Sequence, residues 1–191
     1  IDRIREKYLT KIEDPNNNFS NYLNTMTKQI KDIEHLVTEF SDFARMPKPA
    51  MKKMDLNKVI SRSLNLLRLS EKNITFSLSK NNPALYMKGD EEQINRVFIN
   101  LIKNSIESVN EKKRENAVFK GKINVDIKAD SDYIYVEIKD NGVGFDEVNK
   151  AKMLTPYYTT KIKGTGLGLS IVTKIISDHN STILFNSIKD G

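Results

Sequence analysis

Asp90-Glu91-Glu92-Gln93-Ile94-Asn95-Arg96-Val97-Phe98-Ile99-Asn100-Leu101-Ile102-Lys103-Asn104-Ser105-Ile106-Glu107-Ser108-Val109 carries two patterns at once. Ile94, Val97, Phe98, Leu101, Ile102, Ile106 and Val109 recur at helical spacing, which predicts a long helix with one buried stripe. Asp90 is its expected N-cap, because a short carboxylate can accept the free N–H groups of a first turn. The helix is expected to end near Asn110, with the charged stretch 111–122 as a loop. Asn100, Lys103, Asn104 and Glu107, spaced by three and four, share a second face turned away from the centre of the stripe. Two carboxamides and a lysine there can hold a magnesium ion and triphosphate oxygens, since a hard cation takes oxygen ligands and keeps its waters. A solvated helix face explains the same four residues, so this cluster alone decides nothing.

Upstream, Val59, Ile60, Leu64 and Leu67 have helical spacing within 56–69, and Ile74, Phe76 and Leu78 alternate as a strand. Residues 85–87 suit another short strand. Downstream, Ile123, Val125 and Ile127 and then Ile134, Val136 and Ile138 alternate, with Asp130-Ser131-Asp132 between them as a hairpin turn. Residues 167–178 are helical in pattern, and 183–185 are strand-like. Helices mixed with mainly antiparallel strands predict an α+β fold, a two-layer α/β sandwich with one sheet and one helical layer.

The first fifty residues read differently. Ile1, Ile4, Tyr8, Leu9 and Ile12 mark one helix, and residues 13–18 mark a turn. Phe19, Tyr22 or Leu23, Met26, Ile30, Ile33, Val37, Phe40 and Ala44 then form a heptad seam. Two helices joined by a short turn cannot cover such a stripe alone, so a second copy of the chain is expected to complete a four-helix bundle; packing of the stripe on the rest of this chain is the alternative. Met46-Pro47-Lys48-Pro49 stops the second helix and stiffens the exit. The expected domains are therefore 1–49 and 50–191.

Two further polar clusters lie between the regular elements. Asp140-Asn141-Gly142-Val143-Gly144-Phe145 follows a strand directly. Its two glycines permit a sharp turn and a close ligand approach, and Asp140 can accept a proton from an exocyclic amine. A simple strand-ending turn has the same composition. Gly164-Thr165-Gly166-Leu167-Gly168-Leu169-Ser170 runs three alternate glycines into a helix, whose start offers unpaired N–H groups and a positive dipole end to an anion. Taken singly it is also compatible with a plain flexible turn.

In order, Asn100–Glu107, Asp140–Phe145, residues 156–161 (Pro-Tyr-Tyr-Thr-Thr-Lys) and Gly164–Val172 resemble the N box, first glycine box, F box and second glycine box of bacterial sensor histidine kinases. Residues 40–49 further resemble the end of the dimerisation hairpin in kinases of the NtrY nitrogen-regulation type. The resemblance implies ATP and Mg2+ as ligands. Asn104 would ligate the metal, with Asn100 and Lys103 near metal and phosphates, and Asp140 would receive the adenine amine beside Val143, Gly142 and Gly144. Thr159, Thr160 and Lys161 would belong to a lid over 146–164, and Gly164, Thr165, Gly166, Leu167, Gly168 and Leu169 would cradle the phosphates. Ser108 departs from the pattern, standing where relatives often carry an aromatic residue. Asn100 stands where hydrolases of the wider ATPase superfamily carry a water-activating glutamate; asparagine cannot act as that base, so slow hydrolysis is implied.

The resemblance also implies that the γ-phosphoryl passes to a histidine and then to an aspartate of a response regulator receiver domain, NtrX-like in kind. No H box occurs in the sequence, so the acceptor is expected outside it and no residue here is assigned as catalytic. His35 is expected on the surface, off the seam, and His179 in a helix-cap region before Asn180. A further C-terminal strand is implied, making 50–191 a truncated domain.

Composition narrows the alternatives. There is no cysteine, which removes disulfides and thiolate sites, and only two histidines, far apart. The 31 Lys and Arg against 25 Asp and Glu give +6, but the bases are interleaved with acids, so no nucleic-acid partner is expected. No apolar run reaches membrane-spanning length, so no membrane contact by these residues is expected; a cytoplasmic location is expected, and the resemblance implies a parent anchored in the inner membrane. The competing expectations are a true ATPase or serine kinase of the same superfamily, and a non-catalytic dimerisation scaffold.

Overall fold

The computed structural model describes residues 1–9, 18–81, 84–116, 118–146, 149–159 and 164–187. The chain divides into two compact units, Ile1–Met46 with Thr160–Thr165, and Pro47–Thr159 with Gly166–Gly191.

The first unit holds α1 (Asp2–Tyr8) and α2 (Asn18–Ala44). The expected end of the first helix and the turn over 13–18 lie almost wholly outside the described residues. Arg5 Nη2 donates to Asn24 Oδ1 at 2.6 Å, which fastens α1 to α2. Of the heptad seam Leu23 is buried, whereas Tyr22 is 66% exposed and Ile33 61%. An open stripe of this length leaves apolar area in water that a partner surface could cover. The expected surface position of the His35 side chain lies outside the described residues.

The second unit runs β1 (Lys52–Asp55), α3 (Leu56–Arg68), β2 (Ile74–Lys80), β3 (Tyr86–Gly89), α4 (Glu91–Glu115), β4 (Gly121–Ala129), β5 (Ile134–Asp140), α5 (Lys150–Met153) and α6 (Gly168–Asp178). In the three-stranded sheet β4 is central, parallel to β2 with Phe76 opposite Ile123, and antiparallel to β5 with Val125 opposite Ile138. Alternation puts Ile123, Val125 and Ile127 on one face, where each is at most 1% exposed. Helix α4 lies over β4 and β5 and packs between α3 and α6. Val97, Ile102 and Val109 of α4 are as deeply buried as Ile60 of α3 and Ile171 and Ile175 of α6. Each such side chain contributes roughly 1.5–3 kcal/mol relative to exposure.

Asp90 caps α4 as expected. Its Oδ1 accepts from the backbone N–H groups of Glu92 and Gln93, both at 3.1 Å, and its Oδ2 accepts from Ala50 N–H at 2.8 Å. Burial raises the carboxyl's pKa, but these backbone donors outweigh it and hold the value below the usual 3.8. Gln93 Nε2 donates to the Pro47 carbonyl at 3.0 Å, so the proline segment is tied at two points to the start of α4.

Four features depart from expectation. Residues 52–55 form β1 although only Met54 is apolar, because the strand exists through pairing with β3, Met54 opposite Met87. The described strands of the second unit accordingly form two sheets rather than one. Helix α4 continues five residues past Asn110 to Glu115, because Glu111-Lys112-Lys113-Arg114-Glu115 are all strong helix formers and need no buried stripe. Lys112 Nζ also sits 5.2 Å from the centre of the Phe119 ring. Finally, 183–185 is irregular: no described strand pairs with it, and Leu184 is 87% exposed.

Candidate functional site

Helix α4 is the spine on which the polar clusters meet. Its buried stripe faces sheet and helices, so Asn100 and Asn104 emerge half-buried on the remaining face and Lys103 and Glu107 exposed. Asn100 lies against the start of α6: its Oδ1 is 3.5 Å from where a side chain at Gly168 would begin. Two turns further along α4, about 12 Å at 1.5 Å per residue, Ser108 receives the turn after β5.

That turn is held by hydrogen bonds at every step. Asp140 Oδ1 accepts from Ser108 Oγ at 3.2 Å and from Gly142 N–H at 3.0 Å. Asn141 Oδ1 accepts from Lys122 N–H at 2.7 Å, and its amide donates to the Lys120 carbonyl at 3.0 Å. Val143 N–H donates to the Ser108 carbonyl at 3.3 Å, leaving the Val143 side chain 42% exposed. A Cβ at Gly142 would lie 2.2 Å from Ser108 Oγ and 2.4 Å from the Ser108 carbonyl carbon, so only glycine lets the turn seat on the helix. Gly144 has φ +67°, the left-handed region that favours glycine.

The second glycine run is divided between the units. Gly166 has φ +70°, and its carbonyl accepts from Tyr157 N–H at 3.1 Å, while a Cβ there would lie 2.5 Å from the Tyr157 carbonyl carbon. Leu167 is fully buried, so its side chain belongs to the core and only its backbone remains for a ligand. Leu169 is half-buried and Gly164 exposed. Helix α6 begins at Gly168 with no side-chain cap, as a helix start open to an anion requires. Thr165 falls in the first unit, where its Oγ1 donates to Glu39 Oε2 at 2.5 Å. Thr159 is exposed; Thr160 and Lys161 lie outside the described residues. The short α5, within the segment expected to form a lid, has only four residues and so leaves no periodicity in the sequence.

Ser108, given no role by the motifs, makes three hydrogen bonds to the glycine turn, to Asp140, Val143 and Gly144. Its signal was the departure itself, a small hydroxyl where the resemblance implies a ring. Among the described residues no three His, Cys, Asp or Glu side chains group into a metal cage. None of the described helices is long and apolar enough to cross a membrane.

Residues 89–191, more than half of the chain, match the model of the HATPase_c family, the histidine kinase-, DNA gyrase B- and HSP90-like ATPases. The chain belongs to this family. Among relatives of this ATPase-family chain, the nitrogen regulation protein NtrY of Azorhizobium caulinodans is 32% identical over 190 residues, covering 100% of this chain and 24% of that protein. A putative NtrY-like sensor histidine kinase of Rickettsia felis is 35% identical over 178 residues, 93% of this chain and 28% of that one. The chain thus spans about a quarter of the length of these curated relatives. Among solved structures, the nucleotide-free catalytic domain of histidine kinase ThkA is 32% identical with a TM-score of 0.59, covering 68% of this chain and 81% of that one. ThkA in complex with the response regulator protein TrrA is 25% identical with a TM-score of 0.73, covering 99% of this chain and 53% of that one.

Proposed function

We propose that the chain is the ATP-binding catalytic region, with part of the dimerisation hairpin, of a two-component sensor histidine kinase of the NtrY kind. One observation carries this: the carboxamide face of α4 joins the open start of α6, beside Asn100, to the Asp140–Gly144 turn seated on Ser108. A nucleoside triphosphate laid along that helix has its base at the Asp140 end and its phosphates at the Gly168 end. Asp140 accepts the adenine amine, Val143 offers an apolar edge, and the first N–H groups of α6 meet the phosphate oxygens.

Among the described residues there is no carboxylate cage, so Asn104, with Asn100 beside it, would hold a Mg2+ that arrives with the nucleotide phosphates. The bound ion supplies charge neutralisation on the transferring phosphoryl group. Asn100, which lacks a basic carboxylate, leaves water unactivated, so the γ-phosphoryl is kept for a histidine outside this chain and then for an aspartate of an NtrX-like receiver domain. Residues 1–49 act as a hairpin that pairs with a second copy through the open seam of α2, and 50–191 as the nucleotide domain, with 146–164 as its lid. The parent is anchored in the inner membrane, with this region in the cytoplasm.

The test is incubation of the parent protein with γ-labelled ATP and Mg2+. An acid-labile, alkali-stable phosphoryl adduct that Asn104→Ala abolishes is expected. Steady release of inorganic phosphate without an adduct would favour the ATPase reading.

A further inference from the structure

The Asp140 carboxylate is fixed in rotation. Its Oδ1 accepts two hydrogen bonds, from Ser108 Oγ at 3.2 Å and from Gly142 N–H at 3.0 Å. The direction of the first follows from donor and acceptor arithmetic. Gly144 N–H points at Ser108 Oγ, at 3.4 Å, and can only donate, so the hydroxyl spends a lone pair there and its single proton goes to the carboxylate. Ser108 is itself immobile, because it sits inside α4 and its carbonyl receives Val143 N–H at 3.3 Å. With Oδ1 doubly engaged, Oδ2 is the oxygen left for an incoming donor.

We infer that Ser108 is a positioning residue for base recognition: its hydroxyl locks Asp140 so that Oδ2 faces the exocyclic amine of a 6-aminopurine nucleotide. This rests on the adenine role given to Asp140 above. A ring at this position offers a stacking face to any purine. Serine instead spends the position on orienting an acceptor, which rewards an amine and disfavours a 6-oxo group, whose lone pairs would face a carboxylate. Discrimination between purines therefore comes from the Ser108–Asp140 pair.

The test titrates the 191-residue chain, with Mg2+, against a non-hydrolysable ATP analogue and against the matching purine riboside triphosphate, which lacks the 6-amino group. The unaltered chain prefers the adenine nucleotide, and Asp140→Ala erases that preference. Ser108→Ala lowers affinity for the adenine nucleotide by about tenfold, equivalent to ~1.4 kcal/mol, leaves the purine analogue unchanged, and retains the parent's circular dichroism. Ser108→Thr, which keeps a hydroxyl, restores the preference. Equal weakening of both nucleotides by Ser108→Ala, or weakening of neither, overturns the positioning role while leaving the adenine assignment intact. Equal affinity of the unaltered chain for both nucleotides overturns the Asp140 assignment itself and the proposal with it.

Discussion

His179 Nε2 accepts a 2.9 Å hydrogen bond from the backbone N–H of Asp90, so the end of α6 is fastened to the start of α4. The ring is 6% exposed and its Nδ1 lies 2.8 Å from the Ile175 carbonyl. Because Asp90 N–H can only donate, Nε2 carries no proton, and the Nδ1 proton goes to Ile175. Asn180 follows with φ +52°, the left-handed conformation that ends the helix. The histidine expected to be a cap residue is thus also the bond that holds the two site-bearing helices in register.

Replacing His179 with Ala strands a partly buried N–H and removes a buried ring. The expected cost is about 2 kcal/mol in urea unfolding. A change below about 0.5 kcal/mol would mean that packing alone sets the spacing of α4 and α6.

Asp90 gives the fold an acid dependence whose sign is fixed. Burial raises its carboxyl, the backbone donors of Ala50, Gln93 and Glu92 more than offset this, and the folded value lies below 3.8. Its contribution to stability is therefore present above the unfolded value and lost as pH falls through the folded one. Asp90→Ala is expected to cost about 1 kcal/mol at neutral pH. Thermal unfolding of parent and variant from neutral to strongly acid pH should show that gap closing below pH 3.8, and a gap independent of pH would contradict the assignment.

Two glycines of the site separate cleanly. Gly142→Ala drives a Cβ into the backbone of α4 at Ser108 and Val109, which cannot yield, so a loss of about 1–3 kcal/mol with weakened nucleotide binding is expected. Gly168→Ala meets Asn100 at 3.5 Å, an ordinary contact, and should stay within about 0.5 kcal/mol of the parent. Comparing the two thermal midpoints checks both, and equal effects would show that the turn does not seat on the helix as described.

The open seam of α2 makes its own prediction. If a second copy covers it, Ile33→Asp puts a charge into that interface, and light scattering should show dimer giving way to monomer at the same concentration. A parent that is already monomeric at high concentration would remove the pairing from the proposal.

Much of this was legible in the residues, for physical reasons. The α4 stripe, its Asp90 cap and the alternating runs of β4 and β5 announce themselves, because burial on one face leaves a period in the sequence. The polar face of α4 is legible for the same reason, as what the stripe leaves over. Partnership leaves no period: residues 52–55 became β1 only through β3, and the equally strand-like 183–185 found no described partner. The parallel pairing of β2 with β4 was hidden likewise, because alternation reports a face and never a neighbour. Ser108 was noticed only as a missing ring, since a hydroxyl's value depends on which carboxylate it meets in space.

The most direct measurement is calorimetric titration of the 191-residue chain with a non-hydrolysable ATP analogue and Mg2+, repeated on Asn104→Ala and Asp140→Ala. Saturable one-site binding by the parent is expected, with at least a tenfold loss in each variant, equivalent to ~1.4 kcal/mol or more. No binding by a folded parent, or binding that ignores both substitutions, would contradict the nucleotide site on α4 and bring the scaffold reading forward.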